Sequence, residues 1–211
     1  MELKKLFFDI ETEPNEEALP FLPVPSAPSN YKDPEKIKAY VDEKTKEQVD
    51  KMALSIDLGK ITAIGMKMGV DGQIVGRLVT EKYTETDLLK SFWRCMRICN
   101  GDCVGYNILG FDLPFIMRRS WALGVPVTVF PDMRRYSNFP TTDLMQILAG
   151  WDRDKIKSLK FICARYGIDN PLPELEGSQY AGMDDETKLS YVKNDVYLTF
   201  QLYQKMTGYY I

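Results

Sequence analysis

Asp9 and Glu11 close an apolar run, LKKLFFDIET, at residues 3–12. If the run is a strand, positions i and i+2 share one face. Two carboxylates on one face repel, and one is pushed toward its protonated form unless a cation lies between them. Oxygen-only donor sets suit hard divalent ions such as Mg²⁺. A strand running out into solvent is the plainer reading of this stretch by itself, so the other acids decide. Asp112, in GYNILGFDLPF, lies between a short strand and a helix with Pro114 in its first turn. It either caps that helix or faces a site at the strand end. Asp195, in YVKNDVYLTF, follows Tyr191 by four residues and shares its helix face. Leu198 and Leu202 continue that face as an apolar stripe. A buried aspartate needs a partner, and either the tyrosine hydroxyl or a metal ion supplies one.

The chain contains no histidine. That removes Ser-His-Asp triads, Cys-His pairs and HExxH zinc sites. Neither GxxxxGK[ST] nor GxGxxG occurs, so the common phosphate-cradling loops are absent as well. Cys95, Cys99 and Cys103 recur every four residues with no CxxC pair, a spacing that fits a buried helix face better than a zinc site. Chemistry must rest on carboxylates, Tyr, Lys, Ser or Cys, with a metal.

The elements that position these residues can be read from periodicity. The chain has 211 residues, 45% of them apolar, enough to bury a core in one domain spanning 1–211. Strands are expected at 4–10, 60–69 and 73–80, the last two joined at VDG. A helix at 84–100 with a Thr cap, a strand at 103–107, a helix at 111–124 and a strand at 126–130 follow. Short helices are expected at 142–149 and 154–166, and a long one at 184–206. Between the first two strands, residues 13–58 read as a Pro-rich and helical insertion. It is either a solvated surface excursion or a lid beside the site. Strands followed by alternating helices and strands describe an α/β fold, a mixed sheet flanked by helices. No signal peptide and no apolar stretch near about 18 residues is found, which predicts a soluble cytoplasmic protein. The net charge of −3 argues mildly against nucleic acid, an objection that cations bound in an acidic site would offset.

FDIET, NILGFD and YVKND, in that order, resemble the three exonuclease motifs of the DEDD superfamily of 3′–5′ exonucleases. The likeness is greatest to the exonuclease domain of family B DNA polymerases, and it extends from residue 3 to about 206. It implies a ribonuclease H-like mixed five-stranded sheet whose first three strands are antiparallel. It implies that Asp9, Glu11, Asp112 and Asp195 hold two divalent cations, Mg²⁺ or Mn²⁺, and that Tyr191 marks the tyrosine subclass. It further implies that Thr12, Asn107 and Phe111 touch the terminal nucleotides. The expected reaction is hydrolysis at the 3′ end of mainly single-stranded DNA, releasing nucleoside 5′-monophosphates, in the company of replication or repair proteins. With 211 residues, no polymerase domain is expected.

Basic and aromatic residues for the strand are Arg118 and Arg119, then Arg134, Arg135 and Tyr136, then Trp151 with Arg153, Lys155, Lys157 and Lys160. Asp143 is expected to cap a helix or to add a carboxylate near the site. The rival functions are an exoribonuclease, an endonuclease or resolvase of the same fold, and an accessory nucleic-acid-binding subunit without catalysis.

Overall fold

The computed structural model describes residues 4–208. Its chain forms two compact units, one of Met1–Glu11 with Ile61–Ile211 and one of Thr12–Lys60. The larger unit holds a five-stranded sheet, in which β1 (Leu6–Pro14), β2 (Gly59–Met68), β3 (Ile74–Leu78), β4 (Cys103–Gly105) and β5 (Thr141–Asp143) take the order β3-β2-β1-β4-β5. β2 and β3 are antiparallel, while β1, β4 and β5 run parallel. The Gly69 amide donates to the Lys5 carbonyl and the Asn15 amide to that of Leu58, so β1 and β2 are antiparallel too. The first three strands thus follow the expectation.

β1 is apolar on both faces because helices cover both. On one face Phe7 meets Phe200 and Tyr203 of α6 (Asp185–Thr207), with ring centroids 5.1 and 5.2 Å away. On the other Phe8 meets Phe92 of α2 (Glu85–Ile98) at 4.9 Å. α2 begins at a reciprocal Thr84–Asp87 capping box. It is tied to α3 (Asp112–Ala122) by the Trp93 indole N–H donating to Ser120 Oγ at 2.8 Å. Glu85 joins the same layer, pairing through both oxygens with Arg119 and accepting the Ile61 amide.

α6 lies on the sheet through two glycines. Gly65 and Gly76 are cross-strand partners. A Cβ on Gly65 would stand 2.7 Å from the Val192 carbonyl oxygen and 2.7 Å from Val196 Cγ2, and one on Gly76 would stand 2.8 Å from Leu189 Cδ1. Helix backbone and sheet approach this closely only where neither residue has a side chain.

One strand differs from expectation. PVTVF at 126–130 is coil, and the fifth strand is Thr141–Asp143. Val125, Val127 and Val129 alternate, but Pro126 and Pro131 bracket the run and Pro126 has no N–H to give a ladder. β5 is too short for periodicity to reveal. It exists because its three residues pair in register with β4. It runs straight into α4 (Leu144–Ala149), and the helix expected at 154–166 is a 3₁₀ turn, Arg153–Lys155, followed by α5 (Leu159–Arg165). In the smaller unit, α1 (Pro34–Met52) starts at Asp33, whose side chain accepts the Glu35 amide, with Pro34 in the first turn. No helix of the described residues is long and apolar enough to cross a membrane.

Candidate active site

β1, β4 and β5 are parallel, so their C-terminal ends lie along one edge, where α/β sheets gather their ligand-binding groups. Phe7, Asp9 and Glu11 share one face of β1. Phe200 packs on Phe7, and Asp195 precedes Phe200 by five residues, about 7.5 Å along the helix axis. Asp9 follows Phe7 by about 6.6 Å along the strand. An antiparallel α6 therefore sets Asp195 over the strand-end acids. Oxygens of Asp9, Glu11 and Asp195 all lie within 4.8 Å of one another. Among the described residues this trio is the one cluster of acids or cysteines that could hold a metal ion, and no such group forms around the four free cysteines.

Asp112 stands beside the trio in a different role. It opens α3 without capping it, since the N-cap residue is Phe111 and no side chain caps the helix. Its Oδ1 accepts the Ile10 amide at 3.2 Å instead. β4 pairs with β1 at Leu6 and Phe7 and ends at Gly105, so the Asp112 carboxylate takes the Ile10 N–H on β1 beyond that short ladder. Asp143 is a cap, and more than a cap. It accepts the Met145 and Gln146 amides of α4, and also the Asn107 and Leu109 amides of the turn before Asp112. Asn107 has φ +68, and the Asp143 carboxylate holds that conformation in place. Phe111 is half-buried, its ring 5.4 Å from Phe115. Thr12 opens the smaller unit, where its hydroxyl donates to the Ala53 carbonyl at 2.6 Å.

The electrostatics are those of a site short of positive charge. Burial lifts the Asp9 carboxyl well above the usual range, and the charges of Asp112, Glu11 and Asp195 lift it further. Burial and the charges of Asp195 and Asp112 do the same to Glu11, against a pull from Lys160. Burial pushes Asp112 up to about 7, against the hydrogen bond from Ile10. Asp195 is raised by burial to about 6, and Lys160, then hydrogen bonds with the Tyr191 and Asn194 side chains, hold it down. Burial and then the charge of Asp195 push the Tyr191 phenol far upward, so it remains protonated and serves as a donor. Asp195 Oδ1 is buried and meets no hydrogen-bond donor. An orphaned buried oxygen beside two further carboxylates fits a hard divalent cation.

Lys160 and Asn194 are the residues that spacing did not single out. Lys160 belongs to a basic run, yet its ammonium is buried, 5.4 Å from the Tyr191 ring centre and 3.9 Å from Glu176 Oε1, with no hydrogen-bond partner. Asn194 donates to Asn170 Oδ1 at 3.0 Å and steadies Asp195. The KND spelling offered only adjacency, and neighbouring helix residues do not share a face. Arg119 is committed to Glu85. Lys157 lends its carbonyl to the Tyr106 hydroxyl at 2.7 Å.

A carboxylate cluster on the C-terminal edge of a mixed sheet, completed by a tyrosine-bearing helix, defines an α/β protein of ribonuclease H-like fold. Residues 52–209 match the family described as a predicted 3′–5′ exonuclease related to the exonuclease domain of PolB, and the chain belongs to that family. The matched span starts after Asp9 and Glu11 and includes Asp112, Tyr191 and Asp195. The family B DNA polymerase from the hyperthermophilic archaeon Pyrobaculum calidifontis superposes on 98% of the chain with a TM-score of 0.61 at 20% identity. The chain spans 25% of that polymerase's length, and the likeness is one of fold. No curated protein matches the chain.

Proposed function

We propose that the chain is a metal-dependent 3′–5′ exonuclease of the tyrosine subclass, acting on the 3′ ends of mainly single-stranded DNA and releasing nucleoside 5′-monophosphates. The observation that carries this is the convergence of Asp9, Glu11 and Asp195, with one buried oxygen unpartnered, beside the Tyr191 hydroxyl. On this reading residues 1–211 form one exonuclease domain, with 13–58 as an insertion after the first acidic pair.

Asp9, Glu11 and Asp195 would hold divalent cations, Mg²⁺ or Mn²⁺, with Asp112 as the adjoining fourth carboxylate. Bound cations supply neutralisation of the scissile phosphate and a water of lowered pKa. The chain's own groups orient and insulate that chemistry. Tyr191 keeps its proton and donates it in a hydrogen bond to the Asp195 carboxylate, so its oxygen can orient a water by accepting from it and does not deprotonate one. Asn194, itself held by Asn170, adds a second side-chain hydrogen bond to the same carboxylate. Asp112 braces β1 through Ile10 and sets the charge felt by Asp9. Lys160 opposes the upward shift of Glu11 and Asp195 while no cation sits among them. Asn107 and Phe111, in the turn braced by Asp143, would meet the terminal nucleotides, and Thr12 is offered for the same role.

The test is a Mg²⁺- or Mn²⁺-dependent assay on 5′-labelled single-stranded, duplex and 3′-mismatched DNA, with matched RNA and circular single-stranded DNA. Mononucleotides released from DNA, an intact circle, and loss of activity in Asp9→Ala and Asp195→Ala are expected. Full activity in either variant overturns the assignment. Preference for RNA makes the enzyme an exoribonuclease, and cleavage of the circle makes it an endonuclease.

A further inference from the structure

We infer that the segment before β5, with Trp151, forms a stacking platform for single-stranded nucleic acid, outside the carboxylate site. The segment leaves Phe130, Tyr136 and Phe139 between 62% and 70% exposed. Tyr136 meets Trp151 with ring centroids 5.2 Å apart and planes tilted by 60°, and the Arg135 guanidinium covers the Tyr136 ring at 5.0 Å. Tyr136 and Trp151 both have positive φ, +68 and +62, a costly backbone for a bulky residue. Of the four non-glycine residues with positive φ among those described, the two aromatic ones are the two whose rings meet.

The turn is preformed. Asp132 accepts the Arg134 amide, both ends of its guanidinium fork and the Ser137 hydroxyl, which neutralises both Asp132 and Arg134. Among the described residues no carboxylate pairs with Arg135, so its charge faces outward over an aromatic face. Exposed rings for bases and an uncommitted guanidinium for phosphate are the two parts of a single-strand platform. The platform lies at the end of β5 opposite the site: the Phe139 ring centre sits 5.6 Å from Lys5 Nζ at the start of β1, the Asn138 carbonyl accepts the Thr142 hydroxyl at 2.9 Å, and the three residues of β5 then end at Asp143, which braces the turn before Asp112. A strand whose 3′ end lies on the carboxylates would run along β5 and reach this end with its upstream nucleotides. That direction rests on the exonuclease reading; binding itself does not.

Fluorescence anisotropy of a labelled oligo-dT of about 20 nucleotides, with the full chain in EDTA, tests the platform without turnover. Wild type is expected to bind, Tyr136→Ala about tenfold more weakly, and the surface variant Arg135→Glu more weakly still, both with unchanged melting temperature. With Mn²⁺, hydrolysis of the p-nitrophenyl ester of thymidine 5′-monophosphate, too short to reach the platform, should be equal in wild type and Arg135→Glu. Absent binding by wild type, or Arg135→Glu affinity equal to wild type, overturns the platform. So does a concentration-dependent dimer that Arg135→Glu dissolves while oligo-dT binding persists. If wild type binds oligo-dT but hydrolyses neither substrate, the exonuclease reading fails and the platform stands.

Discussion

At the scale of residues, the site is a contest between one lysine and four acids. Lys160 is the cation that lowers both Glu11 and Asp195. Removing it should favour a metal ion, because a divalent cation then enters a more negative site. Lys160→Met is expected to bind Mn²⁺ about tenfold tighter at pH 8, the size of a one-unit pKa shift, as read by calorimetry. Weaker binding would show that Lys160 does not act as the resident counter-ion. Tyr191 acts as a hydrogen-bond donor, not as a charge. Tyr191→Phe removes the donor to Asp195 and the hydroxyl beside the site, so hydrolysis should slow about 100-fold while Mn²⁺ affinity stays within about threefold of wild type. Loss of metal binding in that variant would mean that the phenol builds the site rather than serving the reaction. The carboxylates were legible in the sequence because their spacing follows strand and helix periods. Lys160 was not, because a basic run looks the same whether its members face water or a buried acid.

At the scale of elements, the position of α6 decides whether Asp195 reaches β1. The Gly65–Gly76 pair sets that position by letting the helix backbone rest on β2 and β3. Gly65→Ala would force its Cβ to 2.7 Å from the Val192 carbonyl, a backbone atom that cannot rotate away. The expected result is a stability loss of about 1–3 kcal/mol, together with a fall in hydrolysis as Asp195 is lifted from its partners. Gly182→Ala is the control, since nothing lies within 4 Å of a Cβ there. Native melting temperature and full activity in Gly65→Ala would refute the seat. Long elements with strong periodicity, β1, α2 and α6, were readable from sequence. β5 was not, because three residues carry no period and their strand character comes from β4. The same short ladder explains Asp112. A cap was a sound local reading, but the Ile10 amide at the end of β4 competes for that carboxylate and wins.

At the scale of the whole molecule, the raised carboxyls tie stability to pH and to metal. Asp112 titrates near 7 and Asp195 near 6 in the folded chain, and Asp9 and Glu11 are raised as well. Unfolded, these groups titrate at about 4. The folded state therefore holds protons more tightly than the unfolded state. The resulting contribution is fully present below about pH 4 and is lost as pH rises through about 6 to 7. In EDTA the melting temperature should fall between pH 5 and 8, although most carboxylates favour folding as they ionise. A divalent cation binds the ionised acids, so it reverses the trend. Mn²⁺ should raise the melting temperature most at pH 8 and little at pH 5, where protons compete for the same oxygens. Scanning calorimetry of wild type and Asp9→Asn across that range, with Mn²⁺ and with EDTA, measures both slopes. Asp9→Asn removes one repelling charge, so its EDTA profile should be flatter than wild type's and its Mn²⁺ response smaller. A wild-type melting temperature that rises from pH 5 to 8 in EDTA, or a Mn²⁺ shift larger at pH 5 than at pH 8, would show that the clustered acids are not what couples folding to the cation.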